Sequence, residues 1–133
     1  MPKINYNYSK NIKLDFEKVE QMVIASLTDV GFGVLTEINI KNAFKTKLDI
    51  KYKKYKILGA CNPNLAHEAL EIEPMIGILM PCNILIIDNE NRSTKVVFPR
   101  ASSLLEITNN EAINNLAIQV DKLLKSAFEN LNK

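Results

Sequence analysis

The stretch Ile57–Ile87, ILGACNPNLAHEALEIEPMIGILMPCNILII, decides how the rest of the 133-residue chain is read. It holds both cysteines (Cys61 and Cys82), the only histidine (His67) and three of the five prolines (Pro63, Pro74 and Pro81). Tyr55–Cys61 is a short apolar strand. Asn62-Pro63 then has the form of a helix start, with Asn62 as the cap and Pro63 at the first helical position, where a missing N–H costs nothing. A helix over 63–72 carries Leu65, Ala66, Ala69 and Leu70, turns Glu68 and Glu71 outward, and stops at Pro74. After a turn around Met75–Gly77, Ile78–Asp88 is predicted as a second strand, bent near Pro81. Its unbroken apolar run Ile84–Ile87 suits a strand buried on both faces or central in the sheet.

Working outward, Ile4, Tyr6 and Tyr8 alternate with Asn5, Asn7 and Ser9, so Ile4–Ser9 is predicted as a half-buried strand. Asp15 caps a predicted helix over about 16–30, whose apolar positions Phe16, Val19, Val23, Leu27 and Val30 keep helical spacing. Gly31 supplies its left-handed end. Phe32–Ile40 reads as a strand with Phe32, Val34, Thr36 and Ile38 on one face, and a short helix follows near 41–48. Downstream, Asp88–Asn91 is a hairpin loop and Thr94–Phe98 a returning strand ended by Pro99. The tail is a second long amphipathic helix over about 110–131, built on Ile113, Leu116, Ala117, Val120, Leu124, Ala127, Phe128 and Leu131. Asn109 or Asn110 caps it, Asp121 and Lys125 form an exposed pair four residues apart, and Ser102–Glu106 forms a turn before it. The pattern is that of one α+β domain spanning 1–133.

Composition narrows the function classes. An apolar fraction of 47% and a charged fraction of 24% are ordinary for a soluble domain with its own core. Four glycines and no tryptophan argue against a Gly-rich nucleotide loop or an aromatic sugar groove. The start MPKINYNYSKN has no apolar segment of signal-peptide type, and no apolar run approaches a bilayer span, so a cytoplasmic protein with reduced thiols and no membrane partner is expected. Residues Lys41–Lys56 carry seven lysines against one acid, Asp49, a local charge of +6 that leaves −4 on the rest of a +2 chain. Lysines interleaved with Phe44, Tyr52 and Tyr55 raise the question of a polyanion. With no arginine and no single helical face, the segment reads as solvated lysine stems over apolar surface, and no nucleic-acid partner is expected.

Phe32-Gly33-Val34-Leu35-Thr36-Glu37, Ile57-Leu58-Gly59-Ala60-Cys61-Asn62-Pro63 with Leu65-Ala66, and Leu79-Met80-Pro81-Cys82-Asn83 together resemble the domain of unknown function 302 family, over nearly the whole chain. Met80 stands where the family pattern has a leucine. The resemblance implies a single-copy TATA-box-binding-protein-like α+β fold with antiparallel strands, and a homodimer. It implies no reaction, and the fold's name carries no DNA binding, because function must be argued from a site.

Three readings of the rare residues stay open. The first is a ligand-binding pocket around the Cys-Asn-Pro turn, built from Cys61, Asn62, Pro63, Cys82 and Asn83. With it goes a thiol-dependent redox or sulfur-handling alternative centred on Cys61 and Cys82, since Cys61 precedes a helix N-terminus that favours a thiolate. The second is a soft-metal site drawing on Cys61, His67 and Cys82. The third is that both cysteines are small buried hydrophobes and Asn62-Pro63 is only a cap. The spacing lacks Cys-x-x-Cys, no Ser or Thr shows a nucleophile elbow, and nothing pairs Glu37, Glu68 or Glu71 as a general base. The expected function is a dimeric module binding a small molecule or partner, with no cofactor named and enzyme status open.

Overall fold

Five antiparallel strands form one sheet in the order β1-β5-β4-β3-β2, seen in a computed structural model that describes residues 5–132. The strands are β1 (Asn7–Ile12), β2 (Gly33–Asn39), β3 (Tyr55–Cys61), β4 (Cys82–Asp88) and β5 (Thr94–Pro99). β2 to β5 follow one another as a meander, and β1 closes the far side against β5. Helix α1 (Phe16–Asp29) joins β1 to β2, and helix α5 (Glu111–Glu129) follows β5 by way of the short α4 (Ala101–Leu104) and a 3-10 turn. The fold is α+β, as the sequence predicts.

The main core lies between one face of the sheet and the two long helices. Val19, Val23 and Leu27 of α1 and Leu124, Ala127 and Phe128 of α5 meet Leu58, Ala60, Ile84, Ile86, Val96 and Phe98. The strand residues share one parity because alternate side chains leave a strand on opposite faces. Ile84 and Ile86 are fully buried, but Leu85 and Ile87 face the other way and are half-buried, so the apolar run Ile84–Ile87 is central without being dry on both sides.

Local chemistry sets most element ends. The α1 helix closes with Gly31 at φ 86, while the Phe32 N–H donates to Leu27 O at 2.9 Å. Asp15 occupies the N-cap of α1 with no side-chain capping bond. Asn39 caps α2 (Ile40–Leu48), and Asn110, rather than Asn109, caps α5 through the Ile113 N–H. The α5 helix gives way at Asn130 to a terminal 3-10 turn.

Four expectations need correction. The first strand is Asn7–Ile12 instead of Ile4–Ser9, because pairing with β5 extends through Ile12 opposite Thr94; Ile4 lies outside the described residues. In β2 a bulge between Val34 and Thr36 reverses the side-chain alternation. Val34 therefore packs on the core, while Thr36 and Ile38 share the opposite face with Gly59 and Ile57. The predicted strand over Ile78–Asp88 begins only at Cys82; Pro74–Leu79 is a 3-10 helix in which i→i+3 bonds such as Met80 N–H to Gly77 O hold the backbone locally. Finally, Asp121 does not pair with Lys125: its carboxylate accepts from the Ala101 and Ser102 N–H groups at 2.7 and 3.2 Å, and Lys125 Nζ lies 4.8 Å from the Tyr8 ring centroid.

Candidate functional site

The β3 and β4 strands are antiparallel neighbours, yet twenty residues, Asn62–Pro81, separate them in the chain. That excursion builds the site. Asn62 accepts the Leu65 N–H at 3.1 Å and starts α3 (Pro63–Ile72) as the chain leaves the sheet. Pro74, with no N–H for a further helical bond, sends the chain into the 3-10 segment, which returns it to β4 through Pro81. Leu65, Ala69 and Met80 on the inner side of this arch pack with Ile76 against Ile113 and Leu116 of α5, forming a second, smaller core.

Between the two cores lies a cavity of about 490 Å³. It sits where β3 ends, β4 begins and β5 ends, taking walls from both faces of the sheet: Ala60, Cys82 and Phe98 from one, Leu85 and Val97 from the other. Small side chains on the flanking helices, Ala66 and Ala69 on α3 and Ala117 on α5, leave the space open. Gly59 makes room for the lining residue Pro81, because a Cβ there would meet the Thr36 side chain and come within 2.6 Å of Pro81 Cγ. The polar lining is uncharged: Tyr6, Asn7, Asn62, Asn83 and the two thiols. Among the described residues that line it there is no Asp, Glu, Lys, Arg or His. Its size is that of a small-molecule site, and its lining suits a ligand that is mostly apolar and carries no charge into the interior.

Both cysteines are free. Burial pushes the Cys61 thiol up from its ordinary value, and the Cys82 thiol up to about 11, with the neighbouring Cys61 and Asp121 adding to the effect. Both are therefore protonated at neutral pH, opposite to the shift that activates a nucleophilic thiol. Helix α3 begins next to Cys61, and the direction of that thiol's shift is upward, from burial.

Residues 8–131 match the family described as Domain of unknown function DUF302. The chain belongs to that family. This DUF302 chain is also similar to the crystal structure of an uncharacterized conserved protein DUF302 from Bacillus stearothermophilus, with a TM-score of 0.85 and 23% identity over 93% of this chain and 96% of that one. At that identity the likeness is one of fold alone. No curated protein matches the DUF302 chain.

Of the residues singled out in the sequence, Cys61, Asn62, Cys82 and Asn83 line the cavity, whereas Pro63 is exposed at the start of α3 and is absent from the lining. Cys61 and Cys82 do not face each other across the ladder. Cys82 is in register with Ala60, so the two thiols leave the strands on opposite faces and meet the cavity from different sides. His67 is highly exposed on α3, its Nε2 3.5 Å from Glu71, and is not brought to the cysteines. Among the described residues no group of three His, Cys, Asp or Glu side chains is placed to hold a metal. The sequence reasoning missed Ala66, Ala69, Ala117 and Met80 as wall residues. Its available signal was the run of alanines at helical spacing on apolar faces that otherwise carry leucine and isoleucine.

The lysine segment is partly accounted for within the chain. Lys45 pairs with Asp49, Lys54 with Glu17, and Lys56 with both Glu20 and Glu37 at 3.0 and 2.7 Å. Phe44 and Tyr52 pack edge to face at 5.1 Å, and Tyr52 lies 6.5 Å from Tyr55, so these rings engage one another. No helix among the described residues is long and apolar enough to cross a membrane.

Proposed function

We propose that this DUF302 chain is a binding module for a small, uncharged and mostly apolar molecule, held in the cavity at the ends of β3, β4 and β5. The carrying observation is the lining: about 490 Å³ of space walled by aliphatic and aromatic side chains, with amides, thiols and one phenol as the polar contacts. Cys61, Asn62, Cys82 and Asn83 are the ligand contacts at the strand ends. The reading treats the chain as one domain, and the resemblance supports a homodimer of single-copy TATA-box-binding-protein-like chains. The experiment joins native mass spectrometry of protein purified without added ligand to titration with the uncharged dye Nile red. One retained molecule or one saturable dye site per chain is expected. Absence of both at micromolar protein overturns the reading.

A thiol-dependent redox or sulfur-handling activity is the second reading, favoured by the shared lining of Cys61 and Cys82. Burial opposes it by keeping both protons on. Alkylation at pH 7 decides: a rate at or above that of a free model thiol restores this reading, and a slower rate removes it.

A further inference from the structure

The α5 helix carries two different stripes. Ile113, Leu116, Ala117 and Val120 line the apolar cavity. Ile118, Lys122, Lys125 and Glu129, spaced by three and four residues, line a separate open cleft of about 440 Å³. The rest of that cleft includes Tyr8 of β1 and Arg100, which follows the last residue of β5, and it shares no lining residue with the cavity. Most of its polar groups can donate: the Arg100 guanidinium, the Lys122 and Lys125 amines, the Ser126 hydroxyl and the Tyr8 phenol.

Two of these donors are left over by the fold. Tyr8 Oη and Arg100 Nε are both buried from solvent, and neither has a hydrogen-bond partner among the described residues. A buried donor without an acceptor has lost its bond to water with nothing in return, so it calls for an explanation. Burial pushes the Tyr8 phenol up to about 12, with Asp121 adding to the effect, so the phenol keeps its proton at neutral pH and stays a donor. The cations of the cleft are equally unanswered. Arg100 Cζ and Lys125 Nζ lie 5.4 and 4.8 Å from the Tyr8 ring centroid, and among the described residues no ion pair engages Arg100, Lys122 or Lys125. Asp121, the nearest candidate, spends both carboxylate oxygens on the Ala101 and Ser102 N–H groups. The arrangement is also held in place. Arg100 N–H donates to Tyr6 O at 2.7 Å, its carbonyl accepts from Ser103 and Leu104, and the Tyr8 ring packs on Phe98 and Phe128.

We infer that this cleft binds a small carboxylate, whose oxygens accept from Arg100 Nε–H and the Tyr8 O–H while Lys122 and Lys125 supply further positive charge from α5. The charge of the lining selects a monoanion: three cations (Arg100, Lys122 and Lys125) against two acids (Asp121 and Glu129) leave a balance of +1. A phosphate dianion would bring its second charge up to those two carboxylates. A planar carboxylate also matches the edge of a guanidinium, and the Ile118 side chain and Tyr8 ring offer apolar area to the body of the acid. The site stands apart from the apolar cavity and does not depend on what that cavity binds.

Benzoate tests this, with benzamide as its neutral counterpart of the same shape. Each is titrated into isotope-labelled protein and followed by NMR at the Arg100 Nε–H and at the backbone amides of Lys122 and Lys125. Saturable shifts from benzoate in about the millimolar range are expected, with benzamide weaker by about tenfold or more. Tyr8→Phe keeps the ring packing and removes only the donor, and is expected to weaken benzoate by about tenfold; Arg100→Gln is expected to do so by more. The joint change Lys122→Gln and Lys125→Gln falls on exposed positions, where folding is least at risk, and is expected to weaken benzoate by about threefold or more. Circular dichroism checks that each variant folds. No saturable shift below about 20 mM overturns the inference and leaves water as the partner of the two donors. Equal binding of benzamide overturns it, as does inorganic phosphate binding more tightly than benzoate. Unchanged benzoate affinity in folded Tyr8→Phe and in the folded lysine variant overturns it as well. Shifts at Asn83 and Ala117 in place of Arg100 would put the acid in the apolar cavity, which defeats both this site and the uncharged-ligand reading of that cavity.

Discussion

Filling the cavity from α3 gives the sharpest test of the proposed binding function. Ala66 and Ala69 are three residues apart on one helix face, and both line the space. Changing both to leucine adds six carbons. At roughly 30 Å³ each, by analogy with a water molecule's share of volume, they occupy about 180 Å³. That is more than a third of the 490 Å³ present. If the new side chains fill space that was empty, the cavity coefficient of about 24 cal/mol per Å³ gives an upper bound near 4 kcal/mol of added stability. Imperfect rotamers and the open mouth reduce this to about 2 kcal/mol, or about 5–10 °C in melting temperature. The same change removes room for a ligand, so Nile red affinity falls by about tenfold or more. Calorimetry and dye titration on one preparation read both effects. A variant that melts lower and still binds dye as the wild type does refutes the placement of the site. A variant unchanged in both refutes the existence of usable space.

Three further outcomes follow from single positions. Gly59→Ala drives a methyl into Thr36 and Pro81 and is expected to cost about 1–3 kcal/mol in urea unfolding, whereas Gly77→Ala, with open space around its added Cβ, changes stability far less. Equal effects would show that Pro81 yields freely. Asn62→Ala removes the α3 cap and costs about 1 kcal/mol, while Asn62→Asp retains a capping oxygen and most of the stability; a neutral Asn62→Ala would dismiss the cap. The Cys82 thiol, raised to about 11, makes folding stability fall with alkali. Below pH 9 both folded and unfolded chains keep the proton, so the full stability is present; between about pH 9 and 11 the unfolded chain alone gives it up, removing about 2–3 kcal/mol. Denaturation at pH 7 and pH 10.5 should show this loss in the wild type and a smaller one in Cys82→Ala, and equal losses would place the titration elsewhere.

Wherever chain-local chemistry decides, the sequence is readable. Tyr55–Cys61 and Pro63–Ile72 are found where the apolar run and the Asn-Pro start place them, and the long helices follow their apolar stripes closely. Tertiary competition accounts for the errors. Ile78 and Leu79 have strand character, but i→i+3 bonds hold them outside the ladder, and Ile78 is left in solvent. The β2 bulge turns one expected face into two, a consequence of pairing with β3 that the alternation of Phe32, Val34, Thr36 and Ile38 does not contain. Asp121 spaces correctly for Lys125, yet two backbone N–H groups at the start of α4 offer it shorter and more buried partners. The cavity was partly legible. Its thiols and amides stand out as rare residues, but its volume comes from alanines on two helices 48 residues apart, Ala69 and Ala117, whose meeting only the fold determines.

The nature of the lining also bears on which class of function the site serves. General acid–base catalysis needs a group whose proton moves near neutral pH, with a partner to hold it in place. The side chains around this cavity are aliphatic groups, amides, a phenol and two thiols whose protons burial holds on. The Asn62 side-chain oxygen is committed to the Leu65 N–H, leaving its amide nitrogen, Asn83, Asn7 and Tyr6 as the polar features that the proposed ligand would meet. On the proposed binding reading, such a set discriminates shape and hydrogen-bonding pattern. Selectivity then comes from two sources with different physical signatures. The apolar walls favour ligands by area and tolerate an added or missing methylene, while an amide that a bound ligand seals from water penalises a ligand lacking the matching group more heavily. A series of neutral compounds of equal size, differing in one carbonyl or hydroxyl, should therefore spread more widely in affinity than a series differing in chain length, and Asn83→Ala should compress the first spread while leaving the second intact.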